Sequence, residues 1–315
     1  NEVAYCEKKS RSISCYAKRF AAKEAFVKAL GIGFRENINF KDEYPEQWVH
    51  DNKTGQDFSY YPIWMVNARD ECGVLPINPW VQGKGGSTII CADGEESRKR
   101  FISNGVNDDK IKVTGHLEHD TLYQVLQQKK DKKELVFDKY GFNLNQPLIV
   151  LSLPQMIEHK ILSKREHWQL QETLCFFAAR TNWNVLISLH PKMNLSFYKH
   201  LEENYRVTIA DERLCEILPI ASLYIVGQGS STVLWAVLCE IPTIIADWYG
   251  LNYSMYDNLK GVKVEKSKNN FSETLFNLTQ KESKTLKSMK NSHRDQKYLF
   301  SPFDGKCSER IFSVF

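Results

Sequence analysis

The stretch "IVGQGSSTVLWAVLCEIPTII" (225–245) decides the fold. An apolar run ends at Gly227, a helix pattern follows over 231–240, and a second Ile-rich run opens after Pro242. Strand, short loop, helix and strand in so few residues describe a βαβ unit, whose strands are parallel. Gly227 and Gly229 read as letting the backbone approach a ligand, and Ser230, Ser231 and Thr232 supply hydroxyls where a helix opens. Unused amides and the positive end of the helix dipole face the same place. The residues leave two readings: a helix N-cap, for which one serine suffices, and a cradle for phosphate. Two glycines and three consecutive hydroxyls exceed what a cap requires, which favours phosphate.

Outward from there the pattern repeats. Strands are expected at 61–67, 87–93, 110–115, 147–153, 183–190, 206–210, 222–227 and 242–247. Helices are expected near 95–104, 118–130, 163–181, 194–204, 212–219 and 231–240. Unbroken Ile, Leu and Val runs alternating with helices mark a parallel sheet buried on both faces. "KKDKKELVFDKYGFNLNQ" (129–146) is charged and turn-rich. It separates an incomplete first α/β unit, residues 46–135, from a complete Rossmann-like parallel-sheet domain at 140–295. No repeat of solenoid length is present.

Ligands of such sheets bind at the carboxyl ends of the strands. That rule also picks out "ISLHPKMN" (187–194), where His190 and Pro191 end a strand. A histidine there can donate to a phosphate or act as an acid near neutral pH, the plainer reading being a structural one. "LSLPQMIEHK" (151–160) carries Gln155, Glu158 and His159, and reads either as a ligand loop or as plain surface. "IKVTGHLEHDTLY" (111–123) carries Thr114 and Gly115 as candidate ligand contacts, then His116, His119 and Asp120. The last three share a helix face at i, i+3 and i+4, but no further ligand cluster accompanies them and no metal is assigned.

Composition bounds the rest. The 315 residues are 42% hydrophobic and 25% charged, enough for two cored domains, and no apolar run nears the ~20 residues of a membrane span. A net charge of +4 is too small to argue for nucleic acid. Lysines gather in 127–133 and 281–297, where solvated helix faces explain them, and the same lysines fit peripheral contact with anionic lipid headgroups. The eight cysteines are scattered without C-x-x-C pairs and read as buried thiols. With no basic-then-apolar leader before the helical patterns, a cytoplasmic protein is expected.

At the other end, "RFAAKEAFVKALGIG" (19–33) has strong helix propensity, with Phe20, Phe26, Val27 and Leu30 as one stripe and Gly31 and Gly33 ending it. An amphipathic helix with Lys23, Glu24 and Lys28 on its wet face is the plain reading. The string resembles the second signature of the holo-acyl-carrier-protein synthases, small phosphopantetheinyl transferases, and "NEVAYCEKKSRSISCYAKRF" (1–20) and "GFRENINFKD" (33–42) continue the likeness. The resemblance covers residues 1 to about 42, within a partial synthase-like segment 1–45. It implies that Glu24 holds a magnesium ion and that Lys23 and Lys28 face coenzyme A phosphates, with an acyl carrier protein as partner. The family's other carboxylate belongs to a strand upstream of the position that Asn1 holds, so Glu24 alone is expected to hold no cation against water.

Residues from about 60 to 315 resemble the GT-B superfamily of nucleotide-sugar enzymes. "VTGHLEHDTL" (113–122) is similar to the interdomain segment of the UDP-N-acetylglucosamine 2-epimerases, and "SPFDGKCSERI" (301–311) to their C-terminal crossing helix, expected at 296–315. His190–Pro191 and Ser230–Thr232 are similar instead to the nucleotide-binding pair of capsule, sialic and Kdo transferases. The resemblance implies that His190, Pro191, Gly229, Ser230, Ser231 and Thr232 hold the donor phosphate. "LSLPQMIEH" and "GQGSSTVLWAV" stand where an epimerase carries its charged motifs, which favours glycosyl transfer over epimerisation. The expectation is transfer from a CMP-, UDP- or CDP-linked sugar to a glycan or lipid-linked acceptor, without a metal cofactor. Asp93, Glu95 and Glu96 remain as carboxylates of the first unit, and no motif selects a base among them. The alternatives are a 2-epimerase, a magnesium- and coenzyme A-dependent synthase, and a chimera inactive in both halves.

Overall fold

The computed structural model describes residues 89–314 except 104, 158–160, 192, 228, 249–255 and 257. The expected helix at 19–33, the strand at 61–67, and Glu24, Glu158 and His159 fall outside the described residues. The chain divides into two units, Asn1–Tyr61 with Glu309–Phe315, and Pro62–Ser308; the features below belong to the second, apart from the last residues of the C-terminal helix.

The protein is mixed α/β. Six parallel strands form its main sheet: β3 (Leu148–Ser152), β4 (Asn184–Ser188), β5 (Thr208–Ile209), β6 (Leu223–Val226), β7 (Thr243–Ala246) and β8 (Val262–Glu265), in the order β5-β4-β3-β6-β7-β8. Strand side chains alternate between faces, so each strand feeds two cores. Ile149, Leu151, Ile187 and Ile225 meet Leu170 and Leu174 of α4 (Lys164–Ala179) and Phe271 of α9 (Lys268–Thr279). Leu148, Val150, Leu186 and Tyr224 meet Leu122 of α2 (Leu117–Gln127), Val136 of α3 (Lys129–Lys139) and Val233 of α8 (Thr232–Leu238). Helices on both faces are why these strands read as unbroken apolar runs.

A second, two-stranded parallel sheet pairs β1 (Ile90–Ala92) with β2 (Ile111–Val113). Phe101 of α1 (Glu95–Ser103) packs beneath it with Val106 and Ile111.

Three expectations change. The charged stretch 129–146 is helical over α3, because Val136 and Phe137 give it a buried edge. β8 was unforeseen: in Val-Lys-Val-Glu only alternate residues are apolar, as suits a half-buried edge strand. The C-terminal segment is a 3-10 turn, Lys297–Phe300, then a loop, then α11 (Cys307–Ser313), in place of one crossing helix.

Candidate functional site

The chain runs outward from β3 through β4 to β5, then returns to lay β6 on the other side of β3. That reversal makes the carboxyl ends of β3 and β6 the switch point, where a crevice opens between diverging loops. The 227–232 loop leaves β6 there, and Pro154 and Gln155 leave β3. His190 and Pro191 follow β4 on the same edge, two strand spacings (about 10 Å) from β6. Both are exposed, and the His190 amide donates to Met193 Sδ at 3.4 Å. The Gln155 Oε1 is buried without a hydrogen-bond partner among the described residues.

The loop's hydroxyls divide into two roles. The Tyr224 hydroxyl donates to Ser152 Oγ at 2.9 Å and lies 2.7 Å from Thr232 Oγ1, which lies 2.8 Å from Ser230 Oγ. Each hydroxyl has one proton, so the protons run from Ser230 to Thr232 to Tyr224 to Ser152. Burial pushes the Tyr224 phenol up to about 12, which keeps it a neutral link. The Thr232 amide donates to Ser230 Oγ at 3.3 Å, and Tyr256 donates to the Ser230 carbonyl at 2.8 Å. Ser230 therefore caps the turn into α8. Ser231, at the cap position itself, makes no side-chain cap hydrogen bond. Gly227 also has a packing reason: a Cβ there would strike the Pro154 ring and Leu174. The expected close approach of a ligand to that glycine is instead an approach of the β3 loop.

Ser231 opens onto a cleft of about 110 Å³ that it shares with Trp235, with Asp93 and Ser97 beyond β1, and with His116 and His119 beyond β2. The carboxyl ends of both sheets supply its wall. Glu95 is drawn to Arg98 at 3.3 Å and Glu96 to Lys99 at 2.9 Å, which leaves Asp93 as the one of the three carboxylates lining the cleft. Desolvation by the cleft walls raises the Asp93 carboxyl above its usual range, with positive charge on His116 pulling it back.

His116 starts α2, and its Nδ1 lies 2.7 Å from Glu118 Oε2. The Glu118 amide donates to the same nitrogen at 3.3 Å when Nδ1 is bare. The 2.7 Å carboxylate contact needs a proton on Nδ1, and the shorter contact favours the protonated nitrogen. This hydrogen bond raises the His116 pKa against the effect of burial. His119 accepts from the His116 amide through Nδ1 at 3.3 Å and is only 3% exposed. Burial first, then the neighbouring His116 charge, lower its pKa to about 4.

The other residues of this segment turn inward. Asp120 accepts from the amides of Cys307 and Ser308, both at 2.8 Å, and from Ser308 Oγ at 2.7 Å. Thr114 is buried, with its hydroxyl donating to the Gly115 carbonyl at 3.0 Å. Gly115 has a φ of +80°, and a Cβ there would strike Cys307 and Pro302. Among the described residues no group of three His, Cys, Asp or Glu side chains could hold a metal.

The structure thus joins Ser231 to Asp93 and His116, a grouping no motif signalled. The sequence signal was available only as a rule: all three follow the carboxyl end of a parallel strand.

Comparison with known proteins divides the chain. Residues 1–69 match the model of the 4'-phosphopantetheinyl transferase superfamily, beyond the expected limit near residue 42. The holo-[acyl-carrier-protein] synthase of Pelagibacter ubique is 60% identical over 42 residues, 13% of this chain and 33% of its own length. That of Cytophaga hutchinsonii is 43% identical over 60 residues, 19% and 44% of the two chains. This chain therefore spans between a third and less than a half of the length of these relatives. In fold it is similar to the UDP-GlcNAc 2-epimerase of Neisseria meningitidis bound to UDP-GlcNAc, with a TM-score of 0.51, 16% identity, and 72% and 61% of the two chains covered. The epimerase of Methanocaldococcus jannaschii, in complex with UDP-GlcNAc and UDP, gives 0.50 and 16%, over 72% and 60%. A variant of the wall teichoic acid polymerase TagF gives 0.50 and 15%, over 72% and 57%. The N-terminal region thus matches the synthases in sequence, and the α/β fold is similar to those of the 2-epimerases and of TagF.

Proposed function

We propose that the chain is a glycosyltransferase that uses a nucleotide-sugar donor, with the donor phosphate received at Gly229–Ser231 and the sugar in the Asp93–His116 cleft. The observation that carries this reading is Ser231, which makes no side-chain cap hydrogen bond and lines a cleft beside the switch point of a parallel sheet. Oriented donors aimed at a leaving phosphate stabilise the charge that develops there. Ser230 and Thr232 act behind Ser231 by fixing the loop through the hydroxyl chain to Tyr224 and Ser152. His190 and Gln155, on the neighbouring strand ends, serve the nucleotide. The acceptor is a hydroxyl of a glycan or of a lipid-linked glycan. The fold neighbours include a polymerase and epimerases, and an epimerase acting on a UDP-amino sugar without an acceptor is the second reading, favoured by the proton-handling pair Asp93 and His116.

The match over residues 1–69 supports a separate proposal, coenzyme A-dependent loading of a carrier protein through magnesium held in part by Glu24. Loading abolished by Glu24→Gln would establish it, and no loading by the parent chain would reject it.

The test of the main reading is thermal shift with CMP, UDP, CDP and coenzyme A, since a ligand bound to the folded state raises its stability by RT ln(1 + [L]/Kd). Ser231→Ala is expected to weaken the binding nucleotide about ten- to a hundredfold, the ~1.5–3 kcal/mol of a hydrogen bond to a charged acceptor, with its melting temperature nearly unchanged. A protein that no nucleotide stabilises, or a Ser231→Ala variant that binds like its parent, would reject it.

A further inference from the structure

We propose that His116, held in place by Glu118, is the general base that takes the proton from the acceptor hydroxyl, a role that rests on the transferase reading above. The geometry comes from three elements. β2 ends at Val113 and delivers His116 to the mouth of the cleft, where 43% of its side chain stays exposed and within reach of a ligand. Glu118, on the first turn of α2, accepts the Nδ1 hydrogen bond across 2.7 Å, which leaves the lone pair on Nε2. His119 bonds the His116 amide, and the Trp235 ring stands 6.2 Å from the imidazole, so backbone and ring are both confined.

The step balances within the donor and acceptor. The acceptor oxygen forms a bond to the anomeric carbon as the bond from that carbon to the phosphate oxygen breaks, the electron pair leaving with the phosphate. The acceptor proton passes to His116 Nε2. The imidazolium formed is offset by Glu118 and Asp93, and the departing phosphate meets Ser231 across the same cleft. Charge is generated at both ends and each end has its partner.

Nothing else in the cleft does this as well. Asp93 is desolvated at the cleft wall, and among the described residues no hydrogen bond fixes its carboxylate. His119 is buried and held neutral, with its Nδ1 engaged. His190 lies on the nucleotide side, after β4. The charged and titratable groups around His116 are Asp93 beyond β1, Glu118 and His119 on α2, and Arg213 with Cys215 at α7 (Leu214–Ile217), which act on it through Glu118. Glu118 lifts the imidazole, so a base here turns on above the usual histidine midpoint and loses that lift if Glu118 is neutral.

The experiment measures UDP affinity, UDP release from UDP-GlcNAc as a function of pH, and the His116 imidazole titration by NMR. His116→Asn places a preferred cap residue at the start of α2, so the fold is preserved. It is expected to cut UDP release at least about a hundredfold, the usual share of a general base, with UDP affinity within about threefold of the parent. Glu118→Gln is expected to move the imidazole midpoint and the acid limb of the rate profile downward together. Unchanged release in His116→Asn with intact UDP binding overturns the base and leaves the nucleotide site standing, as does an acid limb that stays still while the imidazole midpoint moves. Failure of the parent to bind any of UDP, CMP and CDP overturns both proposals.

Discussion

The two sheets of this protein are both parallel and both feed one cleft, yet they are built differently. In β3, Leu148, Ile149, Val150 and Leu151 are each 0% exposed, since helices cover both faces. In β1, Ile90 and Cys91 keep part of their surface, and only Ala92 is fully inside. The six-stranded sheet stands on its own burial. The two strands described in the smaller sheet pack through Ile111 against Phe101 of α1 and Val106. Asp93 follows the smaller sheet, His116 starts α2, whose Leu122 packs in the large sheet's core, and Ser231 follows the large sheet itself.

The largest difference is expected between the strands themselves. Leu151→Ala is expected to cost about 2–5 kcal/mol, by lost transfer energy plus a cavity, whereas Ile90→Ala should cost about 1. Denaturant unfolding of the two variants measures this. Equal losses would show that the small sheet is as integral as the large one.

Acid titration sharpens the contrast. His119 on the cleft side and His293 in α10 (Lys284–Gln296) are both buried, and burial lowers each pKa to about 4. The unfolded chain takes up a proton at each near pH 6.5, the folded protein only near 4, so the unfolded state binds more protons in between. Stability from both is full above pH 6.5 and falls as pH drops towards 4, by about 1.4 kcal/mol per unit for each histidine. Hydrogen exchange between about pH 7 and 4.5 should show the segment around β2 and α2 losing protection together with α10. A flat profile around His119→Gln alone would assign that loss to the cleft side.

The smallest effect separates two adjacent serines. Ser230→Ala removes the group that accepts from the Thr232 amide and feeds the hydroxyl chain, and should cost ~1 kcal/mol in melting stability. Ser231→Ala, with no cap hydrogen bond to lose, should cost a few tenths at most. Reversed costs would return Ser231 to the role of a helix cap.

Much of the large sheet was legible because burial on both faces writes itself into sequence as uninterrupted aliphatic runs, seen at 147–153, 183–190, 222–227 and 242–247. Val262–Glu265 lacks that signal because only its alternate residues are apolar, so it escaped, whereas the other edge strand, β5, was expected at 206–210. The order of hydroxyls in 230–232 was plain as well, but which of them faces outward was not, since that depends on a tyrosine eight residues before Thr232.

The sequence by itself determined the fold class, the parallel order of strand and helix, and the strand ends where chemistry would gather, because periodicity and turn residues are local properties. Only the tertiary structure decided that Gly227 serves Pro154, that Asp120 and Gly115 serve the 302–308 segment, and that Ser231, Asp93 and His116 share one cleft. Those roles are set by which atoms lie across a gap from residues tens to nearly two hundred positions away, and distance in space has no counterpart in the order of the chain.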